Sequence, residues 1–185
     1  MNTIKILSII GILLFATSAI AQTNLYSIEL GTKTILQGNG FTYQARNSGM
    51  IILYNTANQF SFPGSQGLKN GSAIPETFWS DGVYSFSNNS DVIENQITTI
   101  VRNALSAAER QRIGNHKLKV ISRINPDTGV ISEVEFRFML DSPFNTIPLS
   151  VYRTIEVNLK NQVKFTPTAK GRQLNFILYA IDVKL

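Results

Sequence analysis

A few carboxylates and one imidazole are the side chains of this sequence whose spacing invites a chemical role. Glu133 and Glu135 stand two apart in a run that alternates apolar and polar residues, and Asp141 follows at its end. Two carboxylates on one strand face are the minimal equipment for acid–base hydrolysis of a glycosidic bond. The same spacing is what any amphipathic strand gives its solvent side, so alternation alone accounts for them as exposed polar positions. His116 is the single histidine. It follows a helix-ending glycine and has no partnered nucleophile, so it reads as a surface or cap residue rather than a general base. Asp81 and Asp91 flank a Ser/Asn loop without the spacing of a calcium loop. Pro63-Gly64-Ser65-Gln66-Gly67 only approaches a nucleophile elbow. Gly38-Asn39-Gly40 lacks the third glycine and following helix of a dinucleotide site, so it is a turn. The absence of cysteine excludes disulfides, thiolate zinc sites, cysteine nucleophiles and a lipid-modified cysteine. No catalytic residue, metal ligand or cofactor is assigned.

The 185 residues are 43% hydrophobic and 16% charged, a balance that excludes a disordered chain. Lys5, an apolar run over residues 6–16 and Ala19-Ile20-Ala21 have the order of a secretory signal peptide, with cleavage between Ala21 and Gln22. The apolar run is about half of what a bilayer-spanning helix needs. The sequence therefore predicts an exported chain, in the periplasm or cell envelope of a Gram-negative bacterium, with no transmembrane span after cleavage. Residues 22–90 carry three basic and three acidic residues, whereas residues 91–185 carry thirteen basic and nine acidic. The basic excess of the second part is interspersed, as on a solvated surface. Export and the lack of a basic–aromatic motif argue against nucleic acid as a partner.

Residues 22–90 have β grammar. Leu25, Ile28 and Leu30 open it, and turn signals at 37–40 and 47–49 punctuate it. Between the turns Phe41, Tyr43 and Ala45 alternate with polar residues, and an apolar run follows over 50–54. Three or four strands of a meander are expected, then an irregular stretch over 56–76. Phe78, Trp79, Val83, Tyr84 and Phe86 form an aromatic cluster expected to cap a core.

From residue 91 the period changes. Ile93, Ile97, Ile100, Val101, Ala104, Leu105 and Ala108 recur at helical spacing, Asp91 with Glu94 reads as a capping box, and Gly114 as a C-cap. A hairpin turning on Asn125-Pro126-Asp127-Thr128-Gly129 comes next. Pro148 then opens a second helix with Val151, Tyr152, Ile155 and Leu159 on one stripe. A short strand over 163–165 and a final strand over 174–185, apolar on both sides, complete the chain. The expected fold is α+β: an N-terminal β-rich region over 22–90, then a helix-strand-strand-helix-strand sandwich over 91–185 with an antiparallel sheet.

The hairpin 124–130, the strand 133–138, the helix from Pro148 and Val163-Lys164-Phe165-Thr166-Pro167 resemble a TonB C-terminal domain. The resemblance implies a three-stranded sheet whose last strand lies at an edge and receives a peptide by strand addition. Transferred to this chain, the implied partner-binding edge is Asn175, Ile177, Tyr179, Ile181 and Val183, and the implied partner an envelope or outer-membrane protein. A cleavable leader and the lack of a Pro-rich spacer separate the chain from energy-transducing members. The sequence thus predicts a non-enzymatic exported protein that binds a protein or envelope component. The alternative is a small secreted hydrolase acting on an envelope polymer through Glu133, Glu135 and Asp141. Oligomeric state has no signal in the sequence.

Overall fold

The computed structural model describes residues 25, 28–61, 64–82 and 84–185. The predicted leader, with Ala21 and Gln22, and Val83 of the aromatic cluster lie outside the described residues.

Strands β1 (Lys33–Gly38), β2 (Phe41–Asn47) and β3 (Met50–Asn55) form the expected meander. Each link is a two-residue loop ending on a glycine with positive φ, Gly40 and Gly49, which only glycine reaches without strain. After a long irregular stretch, helices α1 (Ser90–Ala104) and α2 (Ala107–Ile113) precede strands β4 (Leu118–Ile124) and β5 (Ile131–Met139). Helix α3 (Leu149–Gln162) and strand β6 (Ile177–Val183) follow. All six strands join one antiparallel sheet in the order β1-β2-β3-β5-β4-β6. The fold is α+β, as expected. The implied three-stranded sheet is corrected to six strands, because β3 pairs with β5 (Leu53 opposite Phe136) and fuses the meander to the hairpin.

One face of the sheet is covered by α1 and α3, which pack on each other, with α1 against β6 and α3 against β5. The core between them takes Tyr43, Leu53, Val120 and Phe136 from the sheet. It takes Ile93, Ile97 and Val101 from α1, and Tyr152, Ile155 and Leu159 from α3. Each such side chain, fully buried, contributes about 1.5–3 kcal/mol of apolar transfer. The β4–β5 turn folds as its sequence dictates. Gly129 adopts φ +73°, its N–H donates to Asn125 O at 2.9 Å, and Asn125 Oδ1 accepts from Asp127 and Thr128 N–H.

Local structure departs from the sequence expectation in several places. The first strand begins at Lys33, not near Leu25; Leu25 and Ile28 reach the core from irregular backbone, and Leu25 N–H donates to Asn145 O at 3.1 Å. The single helix expected from 91 to Gly114 is broken at Leu105, whose backbone is extended. Ser106 then caps α2 through a reciprocal bond pair with Glu109, a capping box in the middle of the apolar repeat. The cap of α1 is Asn89, whose side chain accepts from Asp91 N–H, rather than Asp91 itself. Pro148 is the N-cap of α3 instead of its first residue. The strand expected at 163–165 is reduced to one bridge between Lys164 and Val130. In the aromatic cluster, Phe78 and Phe86 pack on the core, but Trp79 is 42% and Tyr84 79% exposed.

Candidate functional site

Two features of this framework carry polar or unpaired groups in arrangements that suit binding: the outer edge of β6 and a cleft beside α3.

Strand β6 is a terminal strand of the sheet, paired with β4 on one side from Ile177 opposite Ile124 to Val183 opposite Leu118. Among the described residues no strand pairs with its other side over 177–183. Of the residues assigned to this edge, Ile177, Ile181 and Val183 point into the core and are buried. Tyr179 shares their side of the sheet and remains partly exposed, its ring packed edge-on to Phe86 and Phe165 and its hydroxyl 3.4 Å from Glu94 Oε1. Burial and the Glu94 carboxylate push the Tyr179 hydroxyl up to about 12. Asn175 precedes the strand and holds a loop. Its Oδ1 accepts from Gly67 N–H at 2.9 Å and its Nδ2 donates to Ser65 O at 3.2 Å. The alternate positions Leu178, Ala180 and Asp182 are the exposed ones. The meander lies on the far side of β5 and does not pair with β6.

The carboxylates singled out from sequence do not face solvent. Glu133 is 5% exposed and Glu135 0%, which corrects the expectation that alternation leaves them wet. The cause is a loop and two guanidinium groups. Residues 59–61 fold over Glu133, whose oxygens accept from the N–H groups of Gln59 (2.5 Å) and Phe60 (2.9 and 3.0 Å) and from the Ser61 hydroxyl (3.2 Å). Glu135 lies between Arg123 (3.2 Å) and Arg137 (2.5 Å). Asp141 is exposed beyond the end of β5. Neither buried glutamate is aimed at a substrate; both are tied to protein donors. His116 is exposed three residues past the end of α2, and its N–H donates to Ile113 O at 3.1 Å.

The sequence reasoning passed over Glu156. It stands on α3 beside the apolar stripe and is 0% exposed. Four donors converge on it. The Tyr43 hydroxyl and Asn55 Nδ2 (3.3 Å) reach Oε2 from β2 and β3. Arg153 Nη1 reaches Oε2 at 3.0 Å from one turn back, and Lys160 Nζ reaches Oε1 at 2.6 Å from one turn on. Burial pulls the carboxyl up, but the bonds from Lys160 and Tyr43, the Lys160 charge and the Asn55 amide outweigh it and hold Glu156 below the ordinary range. The same pairing, with burial as the larger cause, drives the Tyr43 hydroxyl far above its usual range. The one sequence signal is the spacing of Arg153, Glu156 and Lys160 at i, i+3 and i+7, which stacks them along one side of the helix.

Above this cluster lies a cleft of about 510 Å³ that Arg153 and Lys160 line together with Gln59, Phe60, Asn125 and Glu133. A second depression of about 450 Å³ continues it past Asn55 and Arg153 to Phe41 at the β1–β2 turn. Among the described residues no group of three or more His, Asp or Glu side chains is arranged to hold a metal ion, and no helix is long and apolar enough to cross a membrane.

Comparison with known proteins places the chain. Residues 23–181 match the model of a family described as a domain of unknown function, DUF5043, and the chain belongs to that family. Its fold is similar to the crystal structure of a DUF5043 family protein from Bacteroides uniformis. That likeness has a TM-score of 0.73 and 30% identity, covering 88% of this chain and 90% of the other. No curated protein matches. The family found is DUF5043, and nothing in these comparisons brings in the TonB C-terminal family for residues 91–185.

Proposed function

We propose that this DUF5043 protein is an exported, non-enzymatic binding protein of the cell envelope, and that it recognises an extended segment of a partner by adding it as a seventh strand alongside β6. The observation that carries this is the outer side of Ile177–Val183, which is unpaired among the described residues. Such an edge offers a row of N–H and C=O groups to another chain. The sheet has a second edge at β1, a strand exposed at Lys33, Thr34, Ile35 and Gln37 and partly buried at Leu36 and Gly38. Beside β6 stands α1, with Val92 exposed and Glu94 reaching Tyr179. An added strand would therefore meet side chains above it as well as backbone beside it, and side-chain contacts are what give strand addition specificity. Export is supported by the order of Lys5, the apolar run and Ala19-Ile20-Ala21. The hydrolase alternative draws no support from Glu133 and Glu135, whose oxygens are occupied by protein donors.

Photo-reactive residues at Leu178 and Ala180 test the proposal in intact cells of the source organism, with Ile35 on β1 as the control position. Expected is a discrete cross-linked partner from the β6 positions alone. Cross-linking no greater than from Ile35 would refute the assignment of β6 as the binding edge.

A further inference from the structure

The cleft beside α3 is walled by two cations that serve a buried anion and yet stay partly open to solvent. A buried carboxylate needs its lone pairs satisfied: Tyr43 and Asn55 both serve Oε2 from within the sheet, and Lys160 serves Oε1. Arg153 and Lys160 add two full charges, and each spends only part of its donor set on Glu156. Arg153 reaches Glu156 through Nη1 and also interacts with the Tyr43 hydroxyl, while Lys160 uses a single bond. Both side chains stay partly open to solvent, 38% and 27% exposed. The two cations balance Glu156 and Glu133, so the wall is neutral overall, and its positive groups are the ones that stay open to solvent while both carboxylates are buried. The acid among the lining residues, Glu133, turns its oxygens to the backbone N–H groups of Gln59 and Phe60.

The remaining free groups of the wall match. Asn125 spends its Oδ1 on the turn, and among the described residues its Nδ2 and the exposed side chain of Gln59 have no protein partner. The unspent hydrogen-bonding capacity of the cleft is thus mostly donor, and its two cationic donors are held in place by a buried anion rather than swinging free. Donors fixed in advance bind an acceptor at lower entropic cost than mobile ones. A planar guanidinium beside an ammonium suits a carboxylate, with the fork taking one or both oxygens.

We propose that this cleft is a binding site for a ligand carboxylate, gripped between Arg153 and Lys160 with Asn125 and Gln59 at its side. Two sources share that chemistry, a small free acid and the uronic acid unit of a sugar. The amides favour the second, because they pair with hydroxyls that a simple acid lacks. The cleft reaches Asn175 and Phe176 just before β6 but uses none of residues 177–183.

The test titrates residues 22–185, labelled with nitrogen-15, with digalacturonate, with succinate and with the neutral disaccharide galactobiose. Expected are saturable shifts of the Arg153 and Asn125 side-chain signals with one or both acids, at a Kd below about 1 mM, and none with galactobiose. Tighter binding of digalacturonate assigns the sugar acid, and equal or tighter binding of succinate assigns the free acid. Arg153→Gln and Lys160→Gln should each weaken the bound acid at least about tenfold, the worth of one charge-assisted hydrogen bond. Because either change also touches Glu156, the wild-type titration stands as the primary measurement. No shift with either acid, or equal shifts with galactobiose, would overturn the proposal.

Discussion

Replacing Glu156 by Gln keeps the shape of the side chain and removes its charge, which separates what the anion does from what the volume does. Four donors meet the carboxylate, and they do not count equally. Tyr43 is fully buried with no water to turn to, and Asn55 is buried at the foot of the cleft. A hydrogen bond to a charged group contributes roughly 1.5–3 kcal/mol and a neutral one roughly 0.5–1.5, so each buried donor loses about 1 kcal/mol. Arg153 and Lys160 are partly exposed and rehydrate, so each ion pair counts for about 0.5 kcal/mol. The expected loss is about 3 kcal/mol, read as a lower urea midpoint for residues 22–185 by far-ultraviolet circular dichroism at pH 7. The pH dependence carries a second signature. Glu156 is held below the ordinary carboxylate range in the folded protein. As pH falls, the unfolded chain takes up its proton first. The contribution is therefore complete above the unfolded pKa of about 4.3 and is lost as pH drops through the lower folded value. The wild type should lose stability across that acid window, and Glu156→Gln should lack this component. A stability change under about 1 kcal/mol at pH 7, or an acid limb identical in the two proteins, would refute the view that an ionised Glu156 joins α3 to the meander.

Two further outcomes follow from backbone geometry. Gly129→Ala puts a Cβ 2.0 Å from the Phe165 carbonyl oxygen at φ +73°, so the turn must move; a loss above about 2 kcal/mol is expected from the left-handed backbone and the clash together, measured as a drop in Tm. Ser106→Ala removes the side chain that accepts from Glu109 N–H at 3.2 Å. It should cost about 1 kcal/mol and reduce protection of the α2 amides in hydrogen exchange, with α1 unchanged.

Much of the fold was legible because the strongest signals were local. Asn39-Gly40 and Asn125 to Gly129 encode their turns directly, and the alternation of Phe41, Tyr43 and Ala45 gave β2 its true faces. The break at Leu105 was hidden because the apolar period runs through it, while the signal that ends the helix, Ser106 three before Glu109, is small and polar. The exposure of Glu133 and Glu135 was misjudged for another reason. Alternation reports which face a residue occupies, not what lies over that face, and here the N–H groups of Gln59 and Phe60 arrive from over seventy positions away in sequence. Glu156 was missed similarly. Its meaning depends on Tyr43 and Asn55, which approach it only once β3 has paired with β5.

That pairing has a consequence for the nascent chain. Synthesis delivers β1 to β3 first, and β3 is Met-Ile-Ile-Leu-Tyr-Asn, buried on both faces in the finished protein. Its partner β5 starts at Ile131, some 75 residues later. Until β5 emerges, the meander presents an apolar strand with a bare edge, the template on which chains pair with one another instead of with themselves. The link spans enough sequence that closing it is slow beside the formation of either hairpin. The refolding yield of this protein should therefore fall with concentration more steeply than its stability suggests. The hazard is set by the order in which the strands become available.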